Sequence, residues 1–205
     1  MKKRLRQNRR VERKKKTFFK KHYSLSWQFI KECKSHILFV LILFLFAFLI
    51  ALYYQPPEVV ELMKQFIEDL LQKTEGLNAW QMILFIFNNN LRSSFIVMVA
   101  GIFFGIFPVF TALANGYVLG FVAEKSVAVE GLDVLLRLFP HGIFELPAII
   151  LALALGVRLG TFWFAEEKKK EFIRRLENSL RVFIFIILPL LVIAAIIEGI
   201  LIFVW

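Results

Sequence analysis

With 205 residues, 59% of them hydrophobic and 24 of them Phe, the chain is too apolar for an ordinary soluble domain. Its net charge of +10 is concentrated at one end: residues 1–21 hold twelve Lys or Arg against Glu12, a balance of +11, which leaves −1 for residues 22–205. A basic tail so close to an apolar run suits an anionic lipid surface, at about 1 kcal/mol per basic residue, better than it suits a nucleic acid. A single cysteine, Cys33, excludes an internal disulfide.

In chain order, residues 1–16 are basic and low in complexity, and disorder is expected there. Phe18, Phe19, Tyr23, Trp27 and Phe29 then mix with Lys20, Lys21 and Lys31, a pattern that suits a helix at headgroup level. Residues 1–21 therefore read as a basic tail and 22–205 as one helical transmembrane domain. Cys33 stands just before the first span, as a plain free thiol or an acylation site. Residues 37–54 are long enough to cross a hydrocarbon layer that takes ~20 residues, and Pro56 and Pro57 end that span. Val59, Leu62, Met63, Phe66, Ile67, Leu70 and Leu71 follow at helical spacing against a charged face, predicting an amphipathic helix at the outer surface. Asn78 and Gln81 have the spacing of a capping box and open a short helix over 79–87. Asn88, Asn89 and Asn90 interrupt the apolar pattern. The run 95–123 is too long for one upright span and divides at Pro108 into spans of about 92–107 and 109–124. Two more spans are expected at about 142–158 and 182–204.

Basic residues set the orientation. Segments 1–34 and 158–181 carry fourteen and seven Lys or Arg, and 55–92 and 124–140 carry three and two. Five spans place the two rich segments together in the cytoplasm, whereas four spans would put the seven outside. The expected fold is thus all-α and polytopic, with about five transmembrane helices, a cytoplasmic N-terminus and a multi-pass position in the cell membrane.

Two features concern packing. The pattern A-L-A-x-G-x-x-L-G occurs at 112–120 and again at 152–160, each preceded by Gly-Ile-Phe, and reads either as a trace of an inverted repeat or as convergent apolar composition. Gly101 with Gly105, Gly116 with Gly120, and Gly156 with Gly160 are small-xxx-small pairs that let helix backbones approach closely in lipid.

Polar residues gather at one level of this topology. Asn88, Asn89, Asn90 and Arg92 stand at the outer start of the second span and Glu124 at the outer end of the third. His141 and Glu145 open the fourth, Glu198 lies in the outer third of the fifth, and Asn115 is nearer the midplane. Ionisable groups at such depth are costly unless paired or wetted. If the helix begins near Pro140, His141 and Glu145 are i, i+4 on one face; if it begins at Pro147, Glu145 falls in a re-entrant turn. The pair reads as a structural closure of a helix end, as a ligand or ion site, or as catalytic groups. A metal ion, if one binds, would use His141 and Glu145, although zinc wants three or four ligands. No cofactor is expected: there is no phosphate loop, no His-Glu-x-x-His helix, and no Ser or Cys beside a plausible base.

Asn88-Asn89-Asn90 with Arg92, Gly101 with Gly105, Pro108, Asn115-Gly116 and, most specifically, Pro140-His141-Gly142-x-x-Glu145-Leu146-Pro147-Ala148 resemble the stage II sporulation protein M family over roughly residues 30–205. The resemblance implies an integral membrane protein. In spore formers the family member belongs to the engulfment machinery, with a cell-wall-degrading partner and a second membrane subunit. It also has relatives in archaea and non-sporulating bacteria. It supplies no catalytic residue, and the long basic tail departs from the family pattern. The expected function is a non-enzymatic assembly component of a membrane complex, bound to anionic headgroups through residues 2–21 and to copies of itself or another membrane protein. The alternative is a transporter or channel with an outer-leaflet site at His141 and Glu145.

Overall fold

The computed structural model describes the backbone of residues 2–204 and the side chains of residues 17–134 and 142–202. Among the described residues eight α-helices follow one another: α1 Lys2–Glu32, α2 Lys34–Tyr53, α3 Pro57–Thr74, α4 Ala79–Ala100, α5 Ile106–Glu130, α6 Val134–Gly160, α7 Lys168–Val182 and α8 Leu188–Val204. A 3-10 turn, Thr161–Phe164, leads into α7, and a π-turn, Phe183–Ile187, joins α7 to α8. There is no strand among the described residues. Five helical stretches are long and apolar enough to cross a membrane: Lys34–Tyr53, Ala79–Ala100, Ile106–Glu130, Gly142–Phe164 and Lys168–Ile202.

Several boundaries differ from those expected. The basic tail is helical rather than disordered, continuing as α1 to Glu32, because Lys, Arg, Gln and Glu are good helix formers and no Gly or Pro occurs before Pro56. Cys33 bends the path into α2, its amide shared between the carbonyls of Phe29 and Ile30 at 3.1 and 3.0 Å. The short 79–87 helix and the 92–107 span are instead one helix, α4, ending at Ala100. The capping box forms, with the Gln81 amide donating to Asn78 Oδ1 and the Asn78 amide to Gln81 Oε1, both at 3.0 Å. Nothing after it stops the helix, since three Asn residues cost only a few tenths of a kcal/mol each.

The break between the next spans falls at 101–105 rather than at Pro108. Phe104 and Gly105 both take positive φ, +56° and +72°, which turns the chain back. Pro108 sits in the first turn of α5, where a missing N–H is tolerated. On α6 the helix starts at Val134, so neither Pro140 nor Pro147 marks its beginning. Pro147 removes a donor from within the helix, an irregularity that membrane helices accommodate.

Close approaches define the bundle. A Cβ on Gly116 would meet the Phe44 carbonyl oxygen at 2.2 Å, and one on Gly120 would meet that of Phe48 at 2.4 Å. The helices α2 and α5 therefore run parallel in near backbone contact. On the other side, a Cβ on Gly101 would lie 2.1 Å from the Gly156 oxygen, and one on Gly160 would lie 2.1 Å from the Gly105 amide, bringing α4 and α6 together. Gly199 of α8 meets Ile83 of α4, and the rings of Phe183 and Phe95 stack edge-on at 5.3 Å, so α8 runs antiparallel to α4. The central element is α6. Ala148, Ala152 and Leu155 pack with Met98, Ile187 and Leu191, while its other side presents Ile150, Leu153, Ala154 and Val157 to Val40, Phe44 and Ala112. By contrast, α3 buries no residue.

Candidate functional site

The polar residues marked in the sequence occupy four separate environments. The first is the interior of α6. Glu145 is only 8% exposed and shares a helical stripe with buried Ala148 and Ala152. It does not stand free, and neither does half-buried Glu198 of α8. The His141 side chain lies outside the described residues, but α6 is continuous through this region, so positions 141 and 145 are one turn apart on one helix.

A second group lies in the C-terminal half of α5. Gln55 Nε2 donates to Glu124 Oε2 at 3.1 Å and to the Ala51 carbonyl at 2.7 Å, and Lys125 Nζ lies 2.9 Å from the same carboxylate. These contacts tie the end of α2 to α5. Asn115 is separate again: its Nδ2 donates to the Thr111 carbonyl at 3.0 Å, one turn back on its own helix. Nearby, the Tyr117 hydroxyl donates to the Tyr54 carbonyl at 2.8 Å.

The fourth group departs most from expectation. Asn88, Asn89, Arg92 and Ser93 are exposed along one side of α4, Asn90 is half-buried, and Met82, Ile86, Ser94, Val97 and Met98 form the opposite, buried side. Because α4 begins at Ala79, these residues lie in the middle of a span instead of at its outer start. The sequence carried the signal: from the Asn78 cap to Ala100 there is no Gly or Pro to end a helix.

The basic segment 158–181 is partly built into the fold. Arg175 is buried and donates to Glu171 Oε2 at 3.0 Å, to the Arg158 carbonyl at 3.2 Å and to Thr161 Oγ1 at 2.7 Å. Arg174 bridges Glu171 and Glu32, fixing α1 on α7. The same contact buries Ser26, Phe29 and Cys33 with Ser179 and Val182. Burial pushes the Cys33 thiol up to about 11, so it is a packed, protonated side chain, which does not suit acylation.

Among the described residues, no group of three or more His, Cys, Asp or Glu side chains is placed to hold a metal ion. A groove of about 560 Å³ runs between α1, α6 and α8, lined by Tyr23, Trp27, Pro147, Ile186 and Pro189 among others. Its walls are apolar, and none of Asn115, Glu124 or Glu145 reaches it.

Five long apolar helices around a glycine-packed centre define a polytopic helical membrane protein. The chain belongs to the stage II sporulation protein M family, whose sequence model matches residues 36–201. It is also 34% identical over 123 residues to an uncharacterized protein of Methanocaldococcus jannaschii, a match covering 57% of this chain and 54% of that one. The chain thus spans about half the length of this curated relative. No solved structure matches it.

Proposed function

We propose that the chain is a non-enzymatic assembly component of a complex in the cell membrane, with its N-terminus and α7 on the cytoplasmic side. The observation that carries this reading is the dispersal of the polar groups. Asn115 is spent within its own helix, Glu124 braces a rim, Glu145 is enclosed, and the Asn88, Asn89 and Arg92 side chains turn away from the bundle. A solute pathway needs such groups to converge on a wet cavity. An assembly component needs them where a neighbour can meet them. The amphipathic α3, with no residue buried in the bundle, offers a second surface of the same kind. In this reading residues 2–21 hold anionic headgroups on the cytoplasmic leaflet.

The test is the state of the protein in its own membranes. Solubilised mildly and separated by native electrophoresis, it should migrate well above the position of the purified 24.0 kDa chain in the same detergent. Migration as the lone chain would overturn the proposal. A solute flux in liposomes that Glu145→Gln abolishes without unfolding would replace it with the transport reading.

A further inference from the structure

The exposed polar stripe on α4 lies at a depth that can be located from its contacts with α8. Two contacts mark levels on the antiparallel pair, Ile83 with Gly199 and Phe95 with Phe183. At 1.5 Å rise per residue, Asn88 lies about 7 Å from the first level and about 10 Å from the second, and Arg92 lies about 4 to 5 Å inward of Phe95. Between Phe183 and Ile197 the facing chain holds no polar side chain. The stripe is therefore inside the apolar layer. Asn88 and Arg92 are i, i+4, as are Asn89 and Ser93, so the four share one side, bordered by exposed Leu84, Phe95 and Ile96.

Facing lipid, this patch is unfavourable, because an arginine at bilayer depth is costly unless it is paired. Among the described residues Arg92 forms no ion pair. A second copy of the chain supplies the wrong charge. Copies share one orientation in the membrane, so α4 against α4 would bring Arg92 to Arg92 at the same depth. Glu145 is enclosed in each copy, and Glu198 lies at the Ile83 level, about 13 Å from that of Arg92.

We propose that this stripe docks a transmembrane helix of a different protein that carries a carboxylate at the depth of Arg92. Arg92 forms the ion pair, and Asn88 and Asn89 supply carboxamide donors and acceptors beside it, the hydrogen bonds that membrane helices use for association. Ser93 leaves room for close approach. The inference rests on the assembly reading and names the chemistry of the partner.

The full chain, donor-labelled at a cysteine replacing exposed Glu75, would be reconstituted in zwitterionic liposomes with acceptor-labelled poly-leucine transmembrane peptides bearing Asp, Leu or Lys at the matching depth. Energy transfer should report about 5- to 30-fold tighter association with the Asp peptide than with the Leu peptide and none above the Leu level with Lys. Arg92→Leu should abolish the preference and Arg92→Lys should retain part of it. Equal transfer to the Asp and Leu peptides, or a preference that survives Arg92→Leu, would overturn the proposal. So would self-association of labelled copies that Arg92→Leu removes, since the stripe would then be a homomeric contact. Failure here with the high-mass species intact in native membranes would sink the stripe alone. A lone chain in native membranes would sink the assembly reading.

Discussion

The helices α6 and α4 face the same problem and answer it differently. Each carries an ionisable residue within an apolar run, Glu145 on α6 and Arg92 on α4. Over an 18-residue apolar window of each span, 56% of residues in the α6 span are buried by the rest of the chain and only 28% in α4. The charge on α6 is therefore handled inside the fold, among Ala148, Ala152 and their neighbours. The one on α4 is left to whatever lies beside the protein. A buried ionisable group is a statement about stability, since removing it leaves its surroundings mismatched. An exposed one in lipid is a statement about association. The difference follows from small side chains: Gly101, Gly156 and Gly160 let α4 approach α6 along one side only, and that side is the one that carries no charge.

The comparison can be broken most severely at the seam itself. Gly156→Leu would drive a side chain into Pro108 and the Val97 carbonyl, 2.6 and 3.0 Å from the first added atom. Overpacking of this kind should cost about 3 kcal/mol or prevent folding altogether, seen as loss of a monodisperse peak in detergent. Next in size is Glu145→Ala, which should lower stability by about 2 kcal/mol and reduce the thermal midpoint in detergent; no change would mean that Glu145 is not integrated in the interior. Arg175→Met, on the other end of the molecule, removes three hydrogen bonds but keeps an apolar stem, and about 1–2 kcal/mol is expected. Arg92→Leu should change the stability of the isolated chain by no more than about 0.5 kcal/mol, while abolishing the preference for an acidic helix. Cys33 reports all of these in one assay. Fully buried, with its thiol pushed up to about 11, it should react slowly with maleimide at pH 8 in the native protein and in Arg92→Leu. In Gly156→Leu it should react at the rate of an unfolded chain.

The number of spans and the all-helical class were legible in composition, because a stretch that satisfies its own backbone hydrogen bonds in lipid has to be a helix. The amphipathic α3 was legible for a similar reason: apolar residues from Val59 to Leu71 keep to one side, and Gly76, with φ of +74°, follows the helix. Boundaries inside apolar runs were not. Pro108 looked like a break, yet proline at the third position of a helix breaks nothing, and the turn was made instead by the strained pair Phe104 and Gly105. Asn88, Asn89 and Asn90 looked like an interruption at the start of a span, but the helix that holds them begins ten residues earlier, at the Asn78 cap. That single shift moved Arg92 from the start of a span to its middle. The contacts of Arg175 with Thr161 and with the Arg158 carbonyl were hidden for another reason, since they join residues 14 and 17 positions apart across α7, the 3-10 turn and the end of α6, and no local pattern encodes that meeting.

The π-turn between α7 and α8 has a directional effect on everything before it. Pro189 cannot donate to the carbonyl of Phe185, and the Leu188 amide reaches back five residues to Phe183. One extra residue per turn rotates α7 by about 100° relative to an unbroken continuation of α8. That rotation aims Arg175, Ser179 and Val182 inward and holds the ring of Phe185 outward, where His22 stacks on it at 5.0 Å and Phe18, Phe19 and Tyr23 surround it. Phe185 is thus the peg on which the basic helix hangs. Deleting one residue from Phe183–Ile187 would keep the span apolar and nearly as long, yet it would turn the peg away. The aromatic seat and the Arg174–Glu32 bridge would then no longer agree in direction, and the first helix could keep only one of them.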